Sequence, residues 1–145
     1  MKEQREGGFL IAKIHQITDR IFKQMLKEYG IKALNPGQGR ILFALWQNDE
    51  IPIHELSKKT QLTKSSLTTM LDRLENGGFL KRERDKNDKR IINIKLSEMS
   101  KNLQNKYVEV SKKMTEVFYG PLTEEEIDQF EDYLRHILDN LVNSI

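Results

Sequence analysis

Three features predict a mainly α-helical fold with a small β wing, arranged as a winged helix-turn-helix between N- and C-terminal dimerisation helices. Two short helical segments meet at a tight turn between Ile53 and Asn76. Two alternating strand segments follow, and they enclose the charged loop Arg84-Asp85-Lys86-Asn87-Asp88-Lys89-Arg90. Long amphipathic helices lie before and after this block. With 145 residues the chain is expected to form one compact domain, with residues 1–34 and 97–145 as a helical dimerisation region and 35–96 as the reading head.

From Phe9 to Tyr29, Leu10, Ile14, Ile17, Ile21, Met25 and Tyr29 recur in steps of three and four, which predicts a helix. Ile11, Phe22 and Leu26 widen its apolar band to about half the circumference, more than one core-facing stripe needs. Gly30 suits the left-handed position past the last turn. Asn35-Pro36-Gly37-Gln38 then supplies an N-cap, a first-turn proline and a glutamine for a capping box, opening a helix with Ile41, Leu42, Leu45 and Trp46. Gly37 and Gly39 weaken its first turn.

Ile51-Pro52-Ile53 suits a short edge strand, since proline cannot donate to an inner ladder. His54 to Thr60 forms the first helix of the pair, and Gln61-Leu62 the turn. Thr63 caps a helix from Lys64 to Asn76 whose inner face carries Leu67, Met70, Leu71 and Leu74. Its opposite face is short and polar: Lys64, Ser65, Ser66, Thr68 and Thr69 let a helix end approach base edges and phosphates closely. Ser and Thr near a helix start also serve as ordinary caps, and this helix alone does not separate the two readings.

Gly77-Gly78 stops that helix, Phe79 to Arg84 forms one strand, and Ile92, Ile94 and Leu96 alternate with Asn93 and Lys95 in the return strand. Asp88, two residues before Arg90, can hold its guanidinium at a fixed angle for a narrow minor groove. A plain hairpin with a solvated tip is the alternative. Ser97 can cap a helix carrying Leu103, Tyr107, Val110, Met114 and Val117, which Gly120-Pro121 breaks. Thr123 with Glu126 makes a second capping box, and Ile127, Phe130, Leu134, Ile137, Leu138, Leu141 and Ile145 continue on the last helix. This band also covers about half the circumference, so the first and last helices are expected to pair two copies of the chain.

The formal net charge is only +2, but it is unevenly spread. His54 to Lys95 holds eleven Lys and Arg against six Asp and Glu, whereas Pro121 to Ile145 holds seven acids against one arginine. Such polarity turns one end of a protein toward a polyanion. Cysteine is absent, which excludes disulfides, thiolate zinc sites and a cysteine nucleophile. The polar start Met1 to Gly8 and the short apolar run Phe9 to Ala12 predict a soluble, cytoplasmic protein without a membrane anchor.

The run Leu62 to Glu75, followed by Gly78-Phe79-Leu80 and then by Arg84, Asp88, Arg90 and Leu96-Ser97, resembles the MarR family of bacterial transcription regulators. The likeness covers nearly the whole chain, with two departures: Gln61 stands where glycine is frequent, and Lys89 where arginine is common. It implies that Lys64, Ser65, Ser66, Thr68 and Thr69 face the major groove and that Arg73 meets a phosphate. It further implies that Arg90 enters the minor groove, oriented by Asp88, while Arg84, Lys86 and Lys89 contact the backbone. A homodimeric repressor on a pseudo-palindromic double-stranded DNA site follows from the same resemblance, with heads about one helical turn apart. So does release by a small phenolic or aromatic effector, for which His15 and Trp46 are pocket candidates by position, with ordinary packing as the alternative.

No cofactor, metal site or enzymatic activity is expected. Glu124 to Glu126 occupy a first helical turn behind a capping threonine, where acids oppose the helix dipole rather than forming a catalytic pair. His15, His54 and His136 lie on separate elements without ligand spacing. The competing function is a winged-helix protein-interaction module that does not touch DNA.

Overall fold

The computed structural model describes residues 4–31 and 34–145, the side chain of Pro36 excepted; Met1 to Glu3 of the polar start lie outside them. Nine elements follow in the order α1 (Gly7–Glu28), α2 (Pro36–Gln47), β1 (Ile51–Pro52), α3 (Ile53–Thr60), α4 (Lys64–Asn76), β2 (Leu80–Arg84), β3 (Ile92–Leu96), α5 (Glu98–Tyr119) and α6 (Glu124–Val142). The chain divides into two compact units, residues 1–111 and 112–145. The expected mainly α fold with a small antiparallel sheet is the one observed.

In the first unit, Leu26, Ile41, Leu42, Leu45, Leu56, Leu67, Leu71, Leu74, Ile94 and Val110 lose essentially all contact with solvent. Each such side chain contributes about 1.5–3 kcal/mol on leaving water, so this cluster is the main force holding the helices together. The sheet order is β1-β3-β2, with Ile51 opposite Ile94, Leu80 opposite Leu96, and Arg84 opposite Ile92. Pro52 thus lies on an edge strand, where its missing N–H costs nothing.

Local chemistry sets the element ends. Asn35 and Gln38 complete the predicted capping box, the Asn35 Oδ1 accepting from Gln38 N at 2.9 Å and Gln38 Oε1 from Asn35 N at 3.2 Å. Helix α1 closes at Gly30, in the left-handed region at φ 78°, where Ile31 N donates to Leu26 O at 2.8 Å. Gly78, at φ 81°, repeats this closure, and Phe79 N donates back to Leu74 O at 2.9 Å. That bond explains why β2 starts at Leu80, one residue later than predicted: the Phe79 amide is still occupied in ending α4. Gln61 turns the pair at φ 55°, a conformation glycine adopts freely and a longer side chain holds at a cost of about 1 kcal/mol.

Only the second half of α1 enters this core. Phe9, Leu10, Ile11, Ile14 and Ile17 remain exposed, Phe9 at 68%. In the second unit, the rings of Phe118, Tyr119 and Phe130 stack edge-on or tilted with centroids 4.9–6.5 Å apart. Tyr119 donates to Glu131 Oε2 at 2.6 Å, and burial together with that carboxylate pushes its phenol up to about 12. Thr123 and Glu126 form the second predicted capping box, while Tyr133, Ile137, Leu138 and Leu141 stay exposed along α6.

Candidate nucleic-acid interface

Two polar surfaces of the first unit come from neighbouring parts of its chain. On α4, Lys64, Ser65, Ser66, Thr68 and Thr69 are all exposed, opposite the buried Leu67, Leu71 and Leu74. The sequence left capping and recognition as alternatives for these hydroxyls, and the structure divides them. Thr63 is the cap, accepting from Ser66 N at 3.3 Å. Thr68 and Thr69 donate to the carbonyls of Lys64 and Ser65 at 2.8 and 3.1 Å. Their hydrogens are spent within the helix, so each offers a groove a methyl group and acceptor lone pairs, suited to a thymine methyl or a cytosine amine.

The wing is the β2–β3 hairpin, and its loop is tightly organised. Asp85 Oδ2 accepts from Asn87 N and Asp88 N, both at 3.0 Å, and Oδ1 from Asn93 Nδ2 at 3.0 Å. The Asp88 amide, the Asn93 side chain and the Asn87 amide hold the Asp85 carboxyl below its ordinary range. Asp88 in turn grips Arg90: Oδ1 accepts from Arg90 Nε at 3.0 Å and from its backbone N at 3.1 Å, and Oδ2 from Nη2 at 3.0 Å. The Arg90 side chain lowers the Asp88 pKa, and Asp88 raises that of Arg90. An ion pair this exposed contributes little stability. Its effect is on direction: the side chain of Arg90 is 90% exposed yet oriented, with Nη1 making no hydrogen bond among the described residues.

The other predicted cations differ in how free they are. The side chains of Lys64, Arg73, Lys86 and Lys89 are exposed and make no hydrogen bond or ion pair among the described residues. Arg84 donates from Nη1 to the carbonyl of Lys89 at 3.0 Å, so part of its guanidinium braces the wing.

Two features escaped the sequence reading. Arg82, on the strand leading to the wing, donates from Nε to Glu75 Oε1 at 2.7 Å and from Nη2 to Asp72 Oδ1 at 2.6 Å, joining β2 to α4. Burial opposes its charge, but the hydrogen bonds it donates to Asp72 and Glu75 prevail and raise its pKa. Acids three apart on one helix are a detectable signal, though the partner strand's register is not. The second is a cavity of about 600 Å³ walled by Phe22, Phe43, Met70 and Tyr107, with Arg40 and Lys59 beside them. Burial pushes the Tyr107 phenol up to about 12, so it stays neutral. His15 and Trp46 are not among these lining residues: His15 is 3.3 Å from Asp19 on α1, and Trp46 packs against the lining residue Tyr107 while its Nε1 donates to Ser100 O at 3.0 Å.

A family model described as "MarR family" matches residues 34–92. An uncharacterized HTH-type transcriptional regulator of Bacillus subtilis, YwhA, is 31% identical over 99 residues, which cover 68% of this chain and 71% of that protein. The crystal structure of the transcriptional regulator SlyA superposes with a TM-score of 0.86 at 26% identity, covering 97% of this chain and 96% of that one. A mutant MarR from E. coli complexed with operator DNA superposes with a TM-score of 0.81 at 26% identity, covering 90% and 92%.

Proposed function

The chain belongs to the MarR family of transcription regulators, and from that membership we propose that it is a homodimeric repressor of a pseudo-palindromic DNA site, released by a small aromatic acid or phenol. Its relatives and its fold are those of transcriptional regulators, not enzymes. No helix among the described residues is long and apolar enough to cross a membrane.

The observation that carries the reading is the oriented Arg90 on the same compact unit as the exposed polar face of α4. Lys64, Ser65, Ser66, Thr68 and Thr69 read major-groove edges, and Arg73, Lys86, Lys89 and the remaining donors of Arg84 meet phosphates. Arg90, aimed by Asp88, enters the adjacent minor groove, where narrow width concentrates negative potential. The exposed apolar faces of α1 and of α6 are each covered in the homodimer, which fixes the distance between two heads.

Selecting bound sequences from a random duplex pool tests the reading directly. A palindromic consensus is expected, with half-sites about one helical turn apart and affinity falling steeply as salt rises. Arg90→Ala should weaken binding to the selected duplex about tenfold, with a shallower salt dependence. If no duplex is retained even at low ionic strength, the fold serves protein interaction instead.

Effector release rests on the cavity, whose aromatic walls and two cations match a flat, anionic or hydroxylated ring. Met70 lies on α4, so an occupant touches the reading helix directly. It releases DNA only by favouring a head spacing that the site does not accept. Trp46, the single tryptophan, has its ring centroid 5.0 Å from that of Tyr107 and reports occupancy. Benzoate or phenol should change its emission and lower duplex affinity together; titrations that move neither remove the effector from the mechanism.

A further inference from the structure

We infer that Arg82 is a positioning residue for DNA recognition: by clamping Asp72 and Glu75 of α4 to strand β2, it sets the offset between the major-groove helix and the minor-groove wing tip. The inference rests on the DNA-reading function proposed above. The clamp is two-pronged, with Nε to Glu75 Oε1 at 2.7 Å and Nη2 to Asp72 Oδ1 at 2.6 Å, and Glu75 Oε2 also accepts from Arg82 N at 3.4 Å. Glu75 therefore holds both the side chain and the main chain of one strand residue. Arg82 is only 27% exposed along its side chain, which separates it from the freely presented cations around it.

The geometry matters because of what each end carries. Asp72 lies one turn and Glu75 about two turns beyond Thr68 and Thr69 on the same helix. Two residues after Arg82, Arg84 begins the loop that ends in Arg90. Direct base contacts tolerate little misplacement, and the shared apolar core that packs α4 against the hairpin is non-directional, so a directional contact between them narrows the offsets offered to one DNA site. A planar guanidinium holding two carboxylates fixes direction as well as distance, which an ammonium cannot do. With Nε turned to Glu75 and Nη2 to Asp72, Arg82 acts through these two acids rather than by touching a phosphate.

The test uses the full chain, the duplex selected from the random pool, and a scrambled duplex of equal length. Arg82→Gln and the gentler Glu75→Gln should each lower the ratio of selected to scrambled affinity about tenfold, equivalent to losing one base contact. The slope of log affinity against log salt on scrambled duplex should stay at the wild-type value, since no phosphate contact is removed. The double variant should lose no more than the Arg82 variant, because both changes open the same clamp. Arg82→Lys should recover only part of the ratio. Circular dichroism and melting curves confirm that the folded protein is being compared. A slope lowered by about one in Arg82→Gln, unchanged by Glu75→Gln, would make Arg82 a phosphate ligand and overturn the inference. An unchanged ratio in folded variants would reduce the clamp to a fold contact. If the wild-type protein itself shows no preference between the duplexes, the DNA-reading function falls and the inference with it.

Discussion

Placing aspartate at both Ile137 and Leu141 is expected to yield a single-copy protein that binds the selected duplex 100-fold or more weakly while keeping its helical content. Both side chains are exposed on α6, at 46% and 58%, so neither substitution leaves a hole or buries a charge within one chain. In the proposed homodimer the same positions would be covered, and a carboxylate forced into an apolar interface costs several kcal/mol unless the subunits separate. Once they separate, each head binds alone and loses the effective concentration supplied by its tethered twin, a factor of about 10² to 10⁴. The salt dependence then carries a second signature. One head releases about half the counterions of two, so the slope of log affinity against log salt should halve. His136→Asp adds one such charge to the same helix at an exposed site beside the apolar band, and should leave both mass and affinity near wild type. Analytical ultracentrifugation and duplex titration decide the matter: a double variant that sediments as a dimer places the interface elsewhere.

The sequence was legible where a structural decision is local. Capping boxes at Asn35/Gln38 and Thr123/Glu126, the stops at Gly30 and Gly78, and the cap at Thr63 each involve residues a few positions apart, and all appear where the pattern puts them. The alternation of Ile92, Ile94 and Leu96 likewise implied a strand with one buried face, as Ile94 and Leu96 are. Asp88 and Arg90 were readable for the same reason, because their contact spans two residues. What was not legible depends on tertiary register. Arg82 reaches Glu75 and Asp72 across a turn whose geometry the sequence only outlines. The cavity is assembled from residues as distant as Phe22 and Tyr107, which no local pattern links. Hydroxyl direction at Thr68 and Thr69 was undecidable because a helix carbonyl and a DNA base compete for the same donor.

Gly37 and Gly39 look alike in the sequence, two weak residues in the first turn of α2, yet alanine at each should change stability in opposite directions. At Gly37 a new Cβ would meet the thioether methyl of Met70 at 3.3 Å and the Asn35 carboxamide oxygen at 3.4 Å. A methionine tip on a flexible side chain moves easily, so the reduced freedom of the unfolded chain prevails and Gly37→Ala should gain about 0.5 kcal/mol. At Gly39 the new atom would lie 2.8 Å from two ring carbons of Tyr107. That ring has nowhere to go: it is buried, with the Phe22 ring 5.7 Å away and the Trp46 ring 5.0 Å away, centroid to centroid. Overpacking of this kind outweighs the helix-propensity gain of about 1 kcal/mol, so Gly39→Ala should lose about 2 kcal/mol and melt roughly 5–8 °C lower. Combining it with Tyr107→Leu should cost less than the two changes separately, since a smaller side chain removes the collision. Equal melting shifts at the two glycines would mean that helix propensity, not the Tyr107 contact, governs this turn. Tyr107 also walls the cavity, so Gly39→Ala should weaken the response of Trp46 to benzoate in the same samples, linking the packing of α2 and α5 to the proposed effector cavity.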